Sequence, residues 1–260
     1  MRAITLAKFE EGIINEDAAI AKKRAIAVSD GAGGGGVFAD LWSKYLVEHL
    51  PDKPIKNYKA FDKWIDGIWE PFYNDCEEKA KAEGGMFLNK FYDEGSFATL
   101  VAVWKTGDWI CYGDSVAFCY NRKTNELQHS YTRLVDFNNP PYLINCKDPL
   151  EEKGFRSGKF DKNEDCIVFV ASDALAHYII MMYELEYKKK YVEELDDAIN
   201  AQTKNSNYIK AAIRLRNVDF KKNVIQKLEN CQYPQQLKSH IGRLQRWGFI
   251  AHDDYSLAIL

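Results

Sequence analysis

The chain of 260 residues is 46% hydrophobic and 13% aromatic, enough to fill a sizeable core, which excludes a disordered chain and a disulfide-stapled mini-protein. Thirty-five Lys and Arg against 38 Asp and Glu leave a formal charge of −3, so no global basic field points to nucleic acid. No apolar run approaches the ~18 residues of a membrane span, and the opening MRAITLAKFEEG lacks the apolar core of a signal peptide.

In chain order, apolar runs at 13–21 and 25–30 flank the basic turn Lys22-Lys23-Arg24 and predict a hairpin of buried strands. The glycine tract 31–36 breaks the chain. Helical spacing of Phe38, Leu41, Trp42, Tyr45, Leu46 and His49 then predicts an amphipathic helix over 37–50, ended by Pro51 and Pro54. A second helix is predicted over 58–83, with a kink at Pro71. Residues 96–104 and 109–113 read as another hairpin, followed by strands at 116–120 and 127–131; connections this short require antiparallel pairing. Residues 136–164 read as an irregular surface stretch. Cys166–Ala171 is a further buried strand leading into a helix over about 174–200, and a charged helical region continues to about 246. The final run, Tyr255–Leu260, predicts a strand that must pair with an earlier one.

Strand clusters on both sides of helical stretches, without a repeat or linker, predict one α+β domain over 1–260 with antiparallel sheets. The six cysteines (76, 111, 119, 146, 166 and 231) contain no C-x-x-C pair, which favours reduced, buried thiols and a cytoplasmic location over a disulfide framework.

The residues that carry chemistry are acids at strand ends. Glu16-Asp17 lies in the first hairpin strand and Asp30 ends the second. A hairpin symmetric about Lys23 places Glu16 across from Asp30, at a Cβ separation of roughly 4.5–5.5 Å. Like charges so close are destabilising unless cations neutralise them. Asp173 follows the run CIVFVAS, and Asp253-Asp254 precedes the last strand. Any one of these acids alone fits a turn or a helix N-cap; four segments with the same arrangement point to a shared site. An all-oxygen set without His or Cys suits Mg²⁺ or Mn²⁺ rather than Zn²⁺. Asp30 with partners from three other segments fits a two-metal centre, whose ions lie about 3.5–4 Å apart.

The tract also matches a dinucleotide-binding pattern at Gly31, Gly33 and Gly36. Five glycines in six positions satisfy many patterns, and Asp30 would point negative charge at a pyrophosphate. Close backbone approach, with the Gly31 carbonyl available to a cation, is the better account.

Taken in order, Asn15-Glu16-Asp17, Ser29-Asp30-Gly31-Ala32-Gly33-Gly34, Gly95-Ser96-x-x-Thr99, Gly113-Asp114-Ser115, Ser172-Asp173 and Asp253-Asp254-Tyr255-Ser256 resemble the motifs of the PPM-type (type 2C) metal-dependent protein phosphatases. The resemblance runs from residue 12 to 260. It implies a four-layer α-β-β-α sandwich of two antiparallel sheets flanked by helices, acting on phosphoserine and phosphothreonine in protein substrates through a water activated between two Mn²⁺ or Mg²⁺ ions. Asp30 is then the bridging ligand, Gly31 contributes its carbonyl, Asp173 and Asp253 hold one ion, and Glu16 serves the other. Asp17 orients or deprotonates the water, and Asp114 matches the position of a third, weaker ion. A monomer is expected, without nucleic acid or membrane as a partner.

The sequence also departs from that pattern. Gly12 stands where the family has a phosphate-gripping arginine, Ala32 where many members carry His, Ala174 where a glycine is usual, and His177 where an acid is usual. Lys8, Lys22, Lys23 and Arg24 are the candidate replacements for the arginine. These departures leave two alternatives beside the phosphoprotein phosphatase: a pseudophosphatase that binds phosphoproteins with little or no turnover, and a phosphomonoesterase for small molecules.

Overall fold

The computed structural model describes residues 1–34, 36–215 and 217–260; Gly35 of the glycine tract lies outside them. Strands β1 (Arg2–Leu6), β2 (Ala18–Ala21) and β3 (Ala25–Ser29) come first, followed by helices α1 (Ala39–Glu48), α2 (Tyr58–Asp66), α3 (Trp69–Glu83) and α4 (Gly85–Glu94). The middle carries β4 (Phe97–Ala98), β5 (Leu100–Trp104), β6 (Asp108–Tyr112), β7 (Val116–Asn121), β8 (Leu127–His129), β9 (Ile144–Asn145), β10 (Phe155–Lys159) and β11 (Cys166–Ala171). The last part holds α5 (Asp173–Glu186), α6 (Val192–Asn200), α7 (Lys204–Ala212), α8 (Gln226–Asn230), α9 (Pro234–Trp247) and β12 (Tyr255–Ile259).

Two five-stranded sheets result, ordered β1-β12-β11-β7-β8 and β10-β6-β5-β3-β2, with antiparallel pairing throughout. The layers follow from the period-two alternation of strand side chains. Ile26, Val28, Val101, Val103, Val168 and Val170 face inward and fill the space between the sheets. Their neighbours Ala27, Leu100, Ala102 and Trp104 turn outward onto α1 to α4, while Ile167, Phe169 and Ala171 turn onto α5 and the helices beyond it. Strands buried on both faces read as continuous apolar runs, which is why β3, β5 and β11 stand out in the sequence. The fold is thus the α+β, four-layer sandwich that the resemblance implied. The final strand lies between β1 and β11. All six cysteines are free thiols, five of them buried.

Several boundaries differ from the sequence expectation. The helix over 58–83 breaks at Gly67-Ile68 rather than at Pro71, which sits in the first turn of α3, where proline removes no helical hydrogen bond. The helix over 174–200 divides, with the lysine run 188–190 between α5 and α6. The stretch 136–164 is less irregular than expected, because Phe155–Lys159 pairs with β6 along its whole length. Neither β1 nor α4 was foreseen. β1 is an edge strand with one buried residue, and its Arg2 guanidinium donates to the carbonyls of Leu228, Glu229 and Cys231 at the end of α8.

Candidate functional site

The geometry of the acidic end starts from the turn between β2 and β3. Lys22 and Ala25 exchange backbone hydrogen bonds, so the turn has two residues, Lys23 and Arg24. Pairing then runs Ala21↔Ile26 to Ala18↔Ser29, and one step further brings Asp17, not Glu16, across from Asp30. This corrects the expected register by one residue. In a strand such a slip reverses the face, so Asp17 points toward Asp30 and Glu16 points away. The Glu16 carboxylate instead lies on the backbone of Gly33, where any Cβ would collide with it.

The glycine tract serves close approach. The Gly31 N–H donates to the Glu16 carbonyl at 3.2 Å, and a Cβ at Gly31 would fall 2.6 Å from that oxygen and 2.7 Å from the carbonyl of Ala39. Residues 95–99 grip the same segment. Thr99 N–H donates to the Asp30 carbonyl at 2.8 Å, Asp30 N–H to Thr99 Oγ1 at 3.3 Å, and Ser29 Oγ to the Thr99 carbonyl at 2.6 Å. Thr99 Oγ1 lies 2.9 Å from Ser115 Oγ, which ties the loop carrying Asp114 to the same knot.

The other acids arrive from the second sheet. Asp173 opens α5 directly after β11, and its Oδ1 accepts from the Ala174 N–H. Ser172 and Ser256 hold the ends of β11 and β12 together: Ser172 N–H donates to the Ser256 carbonyl at 3.1 Å, and Ser256 N–H to Ser172 Oγ at 2.9 Å. Asp254, 4% exposed, accepts from Lys8 N–H at 2.7 Å and Glu16 N–H at 2.8 Å, fastening the 7–17 loop to the segment before β12. Asp253 remains half exposed, its Oδ1 3.5 Å from Lys8 Nζ.

Five carboxylates therefore meet electrostatically. Burial first, then Asp17, Asp173, Asp114 and Asp253, push the Asp30 carboxyl well above its ordinary range. Asp173 is raised by burial and then by Asp114, Asp253 and Asp17. Burial raises Asp114 to about 6 against the opposing charge of Arg156. Asp17 is 7% exposed and pushed up to about 7, chiefly by burial. Its two oxygens make no hydrogen bond, although the Ser256 and Ser172 hydroxyls beside it favour the ionised form. Glu16 is raised by burial and held down by Lys8, with Asp254 and Asp40 as its acidic neighbours. Among the described residues no three His, Cys, Asp or Glu side chains already converge at ligand spacing. In donor chemistry and crowding, and with both Asp17 oxygens unpartnered, the set fits hard divalent cations. His177 stands apart, buried edge-on against the rings of Phe137 and Tyr208 with Nε2 unpartnered.

The structure separates the candidate cations. Lys22 donates to the carbonyls of Glu48 and Leu50 at the far end of the hairpin, and Lys23 and Arg24 share that turn, so only Lys8 of the four reaches the acids. Gly12 adopts φ 80° with open space around it. Arg156 of β10 was missed, since no motif marks it. It donates to the Gly113 carbonyl at 2.8 Å and to Thr132 Oγ1 at 3.3 Å, and lies over the Tyr131 ring at 5.0 Å. With Asp114, Tyr131, Tyr142 and Lys153 it lines a cavity of about 210 Å³ beside the acids.

No helix among the described residues is long and apolar enough to cross a membrane. No family model matches the sequence, and no curated protein matches it. Solved structures do. The serine/threonine phosphatase PstP/Ppp of Mycobacterium tuberculosis is similar over 99% of this chain and 96% of its own, at 14% identity and a TM-score of 0.56. The catalytic domain of PstP in complex with two manganese ions is similar over 99% and 95%, at 14% identity and 0.52. The PPM Ser-Thr phosphatase MsPP of Mycobacterium smegmatis, in complex with cacodylate, is similar over 99% and 96%, at 14% identity and 0.50. The chain has the fold of the PPM-type serine/threonine phosphatases.

Proposed function

We propose that residues 1–260 form a single metal-dependent phosphatase unit hydrolysing phosphoserine and phosphothreonine in protein substrates. One observation carries this reading. Asp17, Asp30, Asp114, Asp173 and Asp253 come from five separate segments and crowd together at one end of the sandwich, where burial and then the neighbouring charges raise the carboxyls of the first four. Mutual repulsion among crowded, partly buried carboxylates is costly unless divalent cations offset it. Asp30, Asp173 and Asp253 would hold two Mn²⁺ or Mg²⁺ ions, with the Gly31 carbonyl completing the set, Asp114 available to a third, and Glu16 reaching the second ion only by turning from its place on Gly33. When bound, the ions would neutralise phosphate charge and supply an activated water. Asp17, buried beside the Ser256 and Ser172 hydroxyls, would orient that water or take its proton. Arg156 and Lys8 would take over the phosphate contact that an arginine at position 12 would make, Arg156 through the donors that Gly113, Cys111 and Thr132 leave free.

The test is hydrolysis of p-nitrophenyl phosphate and of phosphoserine peptides with Mn²⁺ or Mg²⁺. Asp30→Asn should lower kcat by at least about a hundredfold, since changes merely behind metal ligands already cost 10–100-fold. Activity without any divalent ion would refute the proposal. The pseudophosphatase reading rests on Gly12, Ala32 and Ala174, which stand where the phosphatases carry other residues. Tight metal and phosphopeptide binding without turnover would establish it instead, and turnover of small phosphoesters alone would identify a phosphomonoesterase.

A further inference from the structure

A second cavity, of about 320 Å³, lies between α5, α9 and the segment leading into α8, within the size range of small-molecule sites. Its chemistry is the reverse of the acidic centre. Met182, Leu244 and Phe249 give it an apolar floor, and Trp247, 59% exposed, stands at its mouth. Among the described residues Lys227 and Arg243 are the charged side chains of its lining, no carboxylate is among them, and neither cation is ion-paired. Between floor and rim sits His240, 6% exposed and edge-on to Tyr178 at 6.3 Å, with Nε2 lacking any hydrogen-bond partner. Buried polar atoms are normally satisfied. An unpartnered imidazole nitrogen, two unpaired cations and an exposed indole on one cavity together describe something that is bound.

We propose that this cavity binds a small amphipathic organic anion, an apolar body carrying one carboxylate or phosphate head. Inorganic phosphate would leave the apolar floor and Trp247 without a role, and a neutral hydrophobe would leave Lys227, Arg243 and His240 without one. The anionic head meets the two cations, His240 contributes a hydrogen bond beneath them, and the body lies on Met182, Leu244 and Phe249. The site is independent of the acidic centre and of what that centre hydrolyses.

Binding of the fluorescent anion anilinonaphthalene sulfonate to the full chain, in EDTA so that no phosphoester turns over, tests this directly. One dye should bind per chain, and the neutral analogue N-phenylnaphthylamine should bind at least about tenfold more weakly. Arg243 and Lys227 are exposed, so Arg243→Glu and Lys227→Glu should preserve the melting temperature while weakening the anionic dye about tenfold or more. Met182→Trp, which fills the floor, should abolish binding. Displacement by decanoate identifies a carboxylate ligand and displacement by decyl phosphate a phosphate ligand. Displacement by neither, equal affinity for the neutral dye, or an unchanged affinity in Arg243→Glu overturns the proposal.

Discussion

Two of the regions that bury polar atoms without partners do so in opposite electrostatic company. At the sheet ends Asp17 presents two unpartnered oxygens among other carboxylates; behind the helices His240 presents an unpartnered nitrogen beside Lys227 and Arg243. Burial favours the neutral form in both cases, raising the acid to about 7 and lowering the base to about 4. Burial therefore does not distinguish the two sites. The sign of the surrounding charge does, and it assigns cations to the first and an anion to the second.

A change of pH separates the two sites most strongly, because the two groups cost stability in opposite directions. A base with a depressed pKa stays neutral in the fold while the unfolded chain takes up a proton. Stability is thus lost as pH falls from the ordinary 6.5 toward about 4, by about 3 kcal/mol in full. His240→Gln should remove its own share of that acid sensitivity, while His129 and His177, also lowered to about 4 by burial, keep theirs. An acid with a raised pKa behaves inversely: the unfolded chain loses its proton first, so stability falls as pH rises from 3.8 to about 7. Asp17→Asn should reduce this limb in ion-free protein, Asp30, Asp114 and Asp173 sharing the remainder. Denaturant melts from pH 4 to 8 check both, and two variants moving the same limb would show that the sites do not differ as described.

Some of this contrast was legible in the residues and some was not. Asp30, Asp173 and Asp253 stood out because each abuts an apolar strand run, a signal that survives any error in register. The pairing of Asp17 with Asp30 did not, since a two-residue turn at Lys23-Arg24 and a three-residue one differ by a single step that reverses every side chain. Arg156 was invisible because Phe-Arg-Ser-Gly-Lys has no apolar run; its strand exists through pairing with β6. The helix break at Gly67 was misplaced to Pro71, a residue that first turns tolerate. The cavity beside His240 depends on how α5 and α9 pack, which no local pattern encodes.

Next in size is the response to ions. Mn²⁺ at a hundred times its dissociation constant should stabilise the fold by about 2.7 kcal/mol, or roughly 5–10 °C in melting temperature for a chain of this length. EDTA should reverse it. Asp173→Asn should lose most of this shift yet melt higher than wild type without ions, because one member of a repelling group is gone. Calorimetry with and without Mn²⁺ decides. An ion-free Asp173→Asn that melts lower would mean that the carboxylates support the fold rather than strain it. The amphipathic anion should add stability independently, since its cavity shares no side chain with the acids.

The smallest effect concerns the few cations at the acidic end. Arg156 is fixed by the Gly113 carbonyl, Thr132 and the Tyr131 ring, and its charge opposes the rise of Asp114. A guanidinium held this way is already oriented, so Arg156→Leu should raise KM for phosphoesters about tenfold, and Arg156→Lys should restore only part of it because an ammonium lacks the fork. Lys8 shares its charge with Asp253 at 3.5 Å, so Lys8→Met should cost less. The split between KM and kcat is informative. A change confined to KM means that Arg156 grips the phosphate equally in ground and transition states, and an equal fall in kcat and kcat/KM means that its contact forms as charge develops on the transferring phosphoryl group.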